Sequence, residues 1–148
     1  MMQQPNAQFN LLGIKLIPKL YHGHIPEQLI PFITNSKVDL RIAAIHAINE
    51  IHDPTVGQLL NACISTEKDT RVLCHLLVAL EKIDPDISLA RAVALLDNDD
   101  AILRAMACSI VLHHGGIDLV ARAVMIIQQM IHSKDPNDRA SAAASGPG

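Results

Sequence analysis

Aromatic residues are the scarcest component of this 148-residue chain. It contains two phenylalanines, one tyrosine and no tryptophan, although 49% of its residues are hydrophobic. Burial must therefore come from aliphatic side chains that pack helix against helix, which favours an all-α fold. The shortage also removes the aromatic platforms on which proteins stack single-stranded bases.

Positive charge is not concentrated anywhere in the chain. Twelve lysines and arginines stand against fifteen acidic residues, which gives a formal net charge of -3. A chain without a basic patch has no electrostatic grip on phosphates. We therefore expect no nucleic-acid partner.

Cysteines are few and odd in number. Cys63, Cys74 and Cys108 each fall inside an apolar helical pattern, so we expect small buried residues in a reducing compartment and no disulfide.

The start of the chain, Met1-Met2-Gln3-Gln4, lacks the basic segment and apolar core of a secretory signal. No apolar run approaches the ~18 residues of a membrane-spanning helix. These features predict a cytoplasmic protein without membrane insertion.

What the chain does contain is a recurring unit. Arg41, Arg71, Arg104 and Arg139 are 30, 33 and 35 residues apart, and each follows an aspartate closely. A period of this length indicates stacked helix pairs rather than one closed core. We expect a single domain over residues 1–148, with units at about 7–35, 36–66, 67–98 and 99–134, a partial unit at 135–145 and a tail at 146–148. Three positions after the arginines come small residues: Ala44, Cys74, Ala107 and Ala142.

Apolar residues recur at steps of three and four, which predicts two helices in each complete unit. Residues 7–22 predict a helix that is kinked or broken near Lys15 to Ile17 and stops at Gly23, and Pro26 is predicted in the first turn of the next helix. The predicted inward faces are Leu29, Phe32, Ile33; Leu40, Ala43, Ala44, Ala47, Ile48, Ile51; Val56, Leu59, Leu60, Cys63; Leu73, Leu76, Leu77, Leu80, Ile83; Leu89, Ala92, Val93, Leu96; Leu103, Met106, Ala107, Ile110, Val111; and Val120, Val124, Ile127, Ile131.

Turn residues separate the predicted helices. Asp53-Pro54 and Asp84-Pro85 each supply a capping carboxylate and a first-turn proline, and Gly115-Gly116 makes the turn of the fourth unit. Asp135-Pro136 restarts the pattern without a following partner helix. Terminal repeats of a solenoid need a polar outer face, so we expect either a truncated edge or a further domain that continues the stack.

These features resemble HEAT repeats, and more narrowly the short HEAT-like units of the phycobilin-lyase type. The best single match is Asp39-Leu40-Arg41-Ile42-Ala43-Ala44-Ile45-His46-Ala47-Ile48, and the likeness covers about residues 26 to 142. The resemblance implies a right-handed α-α superhelix of about four helix pairs plus a partial fifth. It also implies a structural ladder of ion pairs between neighbouring units, formed by Asp39, Arg41, Asp69, Arg71, Asp100, Arg104 and Arg139.

Eight histidines raise the question of a metal site. Five of them, His22, His52, His113, His114 and His132, are predicted at or beside helix C-termini, where an imidazolium meets the negative end of the helix dipole. His46 and Glu50 share a helix face but have no third ligand nearby, and the loop His22-Gly23-His24 could bind a metal only adventitiously.

The resemblance does not extend to enzymes of the deoxyhypusine hydroxylase kind, because the chain lacks their adjacent His-Glu pairs. Cys74 and His75 would point about 100° apart on a helix, which disfavours a thiolate-imidazole couple. We therefore predict no catalytic residue, no metal and no cofactor.

Polar residues at equivalent positions of the second helices predict a binding row. In HEAT-like solenoids the second helices line the concave surface, and the row there suits an acidic peptide or a carboxylate-bearing partner. The alternative is that Arg91 and Arg122 pair with local acids such as Asp86, Asp118 or those of a neighbouring loop. The row consists of Asn61, Arg91 and Arg122, extended by Gln58, Gln128 and Gln129.

The leading hypothesis is a non-enzymatic scaffold that binds another protein, or another domain of its parent chain, along the second-helix face. The alternative is a lyase-like or chaperone-like HEAT protein that acts on a chromophore-bearing partner. That role requires a groove large enough for a tetrapyrrole and an exposed reactive cysteine or acid. A third hypothesis, DNA binding as in HEAT-like glycosylases, is opposed by the acidic net charge and the missing aromatics.

Overall fold

The computed structural model describes residues 7–21 and 23–145, and the side chains of residues 10–21 and 23–144. Across these ranges every regular element is helical and no strand occurs. The predicted all-α class is therefore confirmed. None of the described helices has the length and apolar character needed to cross a bilayer.

Nine α-helices and one 3-10 turn make up the described ranges. In chain order they are α1 (Ala7–Leu20), the 3-10 turn (Glu27–Leu29), α2 (Ile30–Ile33), α3 (Val38–Glu50), α4 (Val56–Thr66), α5 (Thr70–Ile83), α6 (Pro85–Leu95), α7 (Ala101–His114), α8 (Ile117–Ile131) and α9 (Pro136–Ser145).

The helices gather into two compact units that divide between Ala79 and Leu80, inside α5. In the first unit α3 packs against α1, α2 and α4. In the second unit α7 packs against α6, α8 and α9, and α8 also contacts α9. Each unit is therefore built around one central helix that begins just before a repeated arginine.

Small residues allow α3 and α7 to pack closely against several neighbouring helices. Ala43, Ala44 and Ala47 are buried on α3, and Ala105 and Ala107 are buried on α7. Alanine lets neighbouring backbones approach closely, and the aliphatic side chains around it then fill the space between helices. The described core is mostly aliphatic, as the shortage of aromatics predicts, although Phe32 is buried as well.

The first helix of the structure differs from the predicted one. α1 runs unbroken through Lys15 to Ile17, so the predicted interruption there is wrong. Pro18 lies in the last turn, where its missing N–H removes a single hydrogen bond near a natural end, and the Tyr21 amide still donates to the Ile17 carbonyl. The predicted continuation to residue 22 ends on His22, which lies outside the described residues.

The two Asp-Pro turns behave differently. Asp84 caps α6 by accepting from the Ile87 amide and Pro85 is its first residue, so that prediction is confirmed. The same prediction is wrong for Asp53-Pro54, because α4 begins at Val56, after the proline. Asp53 instead accepts hydrogen bonds from the amides of Thr55 and Ile25 and from the Thr55 hydroxyl. These donors lower the pKa of the Asp53 carboxyl, with the Thr55 amide acting most strongly.

Most of the predicted inward faces are buried or half-buried, but three positions are not. Ile83 at the end of α5 is exposed, and so are Val124 and Ile131 on α8. Ala123, Ile127 and Met130 are the buried residues of α8 instead. The inward face of α8 is therefore rotated from the predicted one, and apolar side chains remain on its surface.

Candidate partner-binding surface

The helix α8 begins with a close turn that only glycine allows. A Cβ atom on Gly115 would lie 2.7 Å from the backbone oxygen of Val111, whereas one on Gly116 would meet nothing within 4 Å. Asp118 lies in the first turn, where a carboxylate interacts favourably with the positive end of the helix dipole. The chain can therefore reverse direction directly after α7 and continue into fifteen helical residues.

An apolar stripe runs along the exposed side of α8. Its large members are Ile117, Val124 and Ile131, whose exposed fractions are 88%, 40% and 48%. Ala121 and Gln128, also exposed, lie between them. The five residues follow one another at steps of four, three, four and three, which is the spacing of a coiled-coil seam. We call this set the α8 stripe.

The surroundings of the stripe are mixed in polarity. Met125 lies beside it with 60% of its surface exposed. Arg122 and Gln129 lie seven residues apart on another exposed flank of the helix. A contiguous set of exposed aliphatic side chains bordered by polar residues is typical of a protein–protein contact surface.

The structure places the predicted binding row in both units. Gln58 and Asn61 belong to α4, whereas Arg91 belongs to α6. Asn61 and Arg91 are half-buried and make interactions of their own. Arg122, Gln128 and Gln129 share α8 and are exposed. The alignment of Asn61, Arg91 and Arg122 across units stays a prediction.

Arg122 has a local acidic partner. Its Nη2 lies 2.5 Å from Oδ2 of Asp97, in the loop that follows α6. Both side chains are largely exposed, so solvent screens this pair and its contribution to stability is small. The pairing with a neighbouring loop is the alternative that the sequence left open for this arginine.

Three of the repeated arginines bind a backbone carbonyl in the same way. Arg41 donates from Nη1 to the carbonyl of Asn35, Arg104 to that of Asn98, and Arg139 to that of Ser133, at 2.7, 2.9 and 2.8 Å. In each case the acceptor lies six residues before the arginine. We call each of these arginine–carbonyl contacts a guanidinium clamp.

The residue whose carbonyl is bound also forms a side-chain turn in each of the three clamps. The side-chain oxygens of Asn35, Asn98 and Ser133 each accept from the amide two residues later, at 2.9, 2.8 and 3.1 Å. Such side-chain turns fix the entry into the following helix. The clamp and the turn together hold the carbonyl where an arginine from the first turns of that helix can reach it.

Two of the clamps are completed by a carboxylate from further along the chain. Arg41 makes a bidentate pair with Glu67 through Nε and Nη2, at 2.9 and 3.1 Å. Arg104 pairs with Asp138 through Nη2 at 2.6 Å. The set of ladder residues implied by the resemblance contained neither acid, although Asp138 directly precedes Arg139.

The other members of the implied ladder have separate roles. Arg71 pairs with Asp39 at 2.8 Å, and both of these residues belong to the implied set. Asp69 accepts from the Val72 amide at the start of α5, and Asp100 caps α7. The ladder in the structure is therefore a set of clamps with different acids rather than a uniform series of Asp–Arg pairs.

Two histidine groups make contacts within their own units. The rings of His46 and His75 meet edge to face with centroids 4.9 Å apart. Burial, the neighbouring His46 and then Arg71 lower the pKa of His75. His114 Nε2 lies 2.9 Å from Glu81 Oε2. No group of three or more histidine, cysteine or carboxylate ligands could hold a metal ion within residues 7–21 and 23–145.

Burial makes two of the three cysteines, Cys63 and Cys108, poorer nucleophiles. Cys108 is buried, and burial raises the pKa of its thiol to about 11. Burial, with a contribution from Glu67, also raises the pKa of Cys63. Cys63 and Cys74 are only half-buried, so the prediction of three buried cysteines is correct for Cys108 alone. None of these three cysteines forms a disulfide.

An apolar cavity of about 330 Å³ opens between α7 and α9. Ile102 and Met106 line it from α7, and Ala140, Ser141 and Ala144 line it from α9. It contains no titratable group that could act in catalysis. This cavity gives a second exposed apolar surface against which the α8 stripe can be compared.

The chain was compared with known proteins. No protein-family model matches it, and no curated protein and no solved structure is significantly similar to it.

Proposed function

We propose that this protein is a non-enzymatic interaction module that binds an amphipathic helix of a partner protein along the α8 stripe. The observation that carries the proposal is the set of exposed aliphatic residues on α8 at the spacing of a coiled-coil seam. Apolar side chains at this spacing gain stability when a second helix covers them.

The dimensions suit a helical partner. Fifteen residues span about 22 Å at the rise of an α-helix, which is two heptads. Ile117, Val124 and Ile131 lie at intervals of seven, so one face of a partner helix can contact all three. Gln128, the one polar residue of the stripe, would favour a particular register by seeking a hydrogen bond in the interface.

We further propose that the fold is a right-handed superhelix of HEAT-like repeats. Supporting this are the guanidinium clamps of Arg41, Arg104 and Arg139, each preceded by a side-chain turn. That Cys63, Cys74 and Cys108 form no disulfide supports a reducing, cytoplasmic location. The lyase-like alternative requires an exposed reactive cysteine or acid, and burial weighs against Cys63 and Cys108 in that role because it raises the pKa of both thiols.

A display library of helical peptides tests the proposal and requires no identified partner. The library would fix aliphatic residues at the a and d positions of two heptads and vary the rest, and selection would use the wild-type protein. Peptides enriched on wild type are expected to bind Val124→Gln/Ile131→Gln about 10–100-fold more weakly, since two apolar contacts are lost. Both positions are exposed, so the fold should survive the substitutions.

The matched control is Ile102→Gln, which removes an exposed apolar residue from the cavity between α7 and α9. It should leave the affinities of the selected peptides unchanged. If no peptide is enriched, or if the selected peptides bind the double variant as tightly as wild type, the α8 stripe is not the binding surface.

A further inference from the structure

We infer that the helix bound at the α8 stripe carries a carboxylate that pairs with the guanidinium of Arg139. This inference rests on the proposed function and adds a specific contact to it. Its basis is the comparison of the three guanidinium clamps, of which two already hold a carboxylate.

The clamps of Arg41 and Arg104 define the complete arrangement. Nη1 of each guanidinium binds the carbonyl six residues earlier. The acid is bound by Nε and Nη2 of Arg41 and by Nη2 of Arg104. Arginine suits this double role because its donors are fixed in one plane. The acid is Glu67 in one case and Asp138 in the other, so the type of acid is not critical.

Arg139 binds a backbone carbonyl as Arg41 and Arg104 do, but it has no acidic partner among the described residues. Its Nη1 donates to Ser133, and across the described ranges no carboxylate lies within ion-pair distance of it. The nearest acids in sequence are already engaged. Asp138 binds Arg104 and the Ser133 hydroxyl, and Asp135 accepts from the Asn137 amide.

The position of Arg139 connects this clamp to the α8 stripe. The carbonyl that it binds belongs to Ser133, two residues beyond Ile131, the last member of the stripe. α8 and α9 also pack against each other. The Arg139 guanidinium therefore lies 2.8 Å from the backbone two residues beyond the stripe, and we place the end of the bound helix there.

The charge of the second unit restricts the partner. Residues 80–148 contain nine acidic and six basic side chains, so a strongly acidic helix would be repelled. We therefore expect a neutral or basic helix with one well-placed carboxylate. Of the two partners that the row suggested, an acidic peptide and a carboxylate-bearing partner, this inference retains only the second.

A double-mutant cycle tests the inference, using a peptide selected on wild type by its binding to the α8 stripe. Arg139→Gln and replacement of the critical peptide carboxylate by its amide are each expected to weaken binding about 3–10-fold. The two changes together should weaken it no more than either one alone. The effect of Arg139→Gln should decrease at about 1 M NaCl, because salt screens exposed charges.

Lys134→Gln is the matched control, since it removes another exposed cation from the loop before α9. Circular dichroism would confirm that Arg139→Gln is folded, and Arg139→Lys should bind with intermediate affinity. Loss of binding in Val124→Gln/Ile131→Gln without any effect of Arg139→Gln would overturn this inference and leave the proposed function standing. Failure to select any peptide would overturn both.

Discussion

At the scale of the residue, the arginines show that the contribution of an ion pair to stability depends on its exposure to solvent. Arg104 and Asp138 are 19% and 21% exposed, whereas Arg71 and Asp39 are 64% and 74% exposed. Water competes strongly for the second pair and weakly for the first. The sequence could not distinguish them, because each arginine follows an aspartate by two to four residues.

This difference predicts unequal effects on stability. Arg104→Gln removes the pair with Asp138 and the hydrogen bonds to the carbonyls of Asn98 and Asp99, and should lower the free energy of unfolding by about 1–3 kcal/mol. Arg71→Gln should change it by less than about 1 kcal/mol. Urea unfolding followed by circular dichroism compares the two, and equal losses would contradict the role given to the clamp.

Cys108 provides a second prediction at this scale. With a pKa of about 11, roughly one thiol in a thousand is ionised at pH 8, and the side chain is buried as well. Iodoacetamide should therefore modify Cys74 and Cys63 in the native protein before Cys108. Mass spectrometry of labelled peptides measures the order, and in urea the three rates should become similar. Rapid native labelling of Cys108 would show that its site is open.

At the scale of the element, α8 shows where periodicity alone is ambiguous. The helix carries apolar residues on two sides, one containing Ala123 and Ile127 and the other Val124 and Ile131. Both sets recur at steps of three and four. The sequence predicted that α8 exists and where it begins, but only packing against α7 and α9 decides which side is buried.

The prolines also show that local sequence rules do not fix where a helix begins or ends. Local rules predict that Pro18 interrupts one helix and that Pro54 begins another. The structure places Pro18 in the last turn of α1 and Pro54 before α4. Helix ends depend on which hydrogen bonds the surroundings replace, and here Asp53 bonds to Ile25, a contact across 28 residues that no local pattern contains.

The turn between α7 and α8 predicts a matched pair of substitutions. Gly115→Ala places a methyl group against the Val111 carbonyl and should destabilise the protein by about 1–3 kcal/mol. Gly116→Ala meets open space at the helix cap and should change stability by less than about 0.5 kcal/mol. Thermal unfolding measures both. A Gly115→Ala protein as stable as wild type would show that the turn can open without cost.

At the scale of the whole molecule, the sequence predicted the fold class and the central helices well. The aliphatic composition and the apolar faces led to an all-helical structure, and Leu40, Ala44 and Ile48 are buried as predicted. What composition could not supply is the set of long-range acids that complete the clamps, Glu67 and Asp138. Those contacts depend on how helices pack rather than on local sequence.

The candidate site was predicted less completely than the fold. Arg122, Gln128 and Gln129 were identified as polar residues of the return helix, but Ile117 and Met125 were not singled out and Val124 and Ile131 were assigned to the core. The spacing of the α8 stripe was present in the sequence. It becomes a functional signal only once those side chains are known to be exposed.

The most direct test of the account is the affinity of a selected helical peptide for wild type and for Val124→Gln/Ile131→Gln, measured by fluorescence polarisation with Ile102→Gln as control. Coverage of the α8 stripe by a partner helix predicts that the double variant binds about 10–100-fold more weakly while the control binds as wild type does. Equal affinity for wild type and the double variant would contradict it.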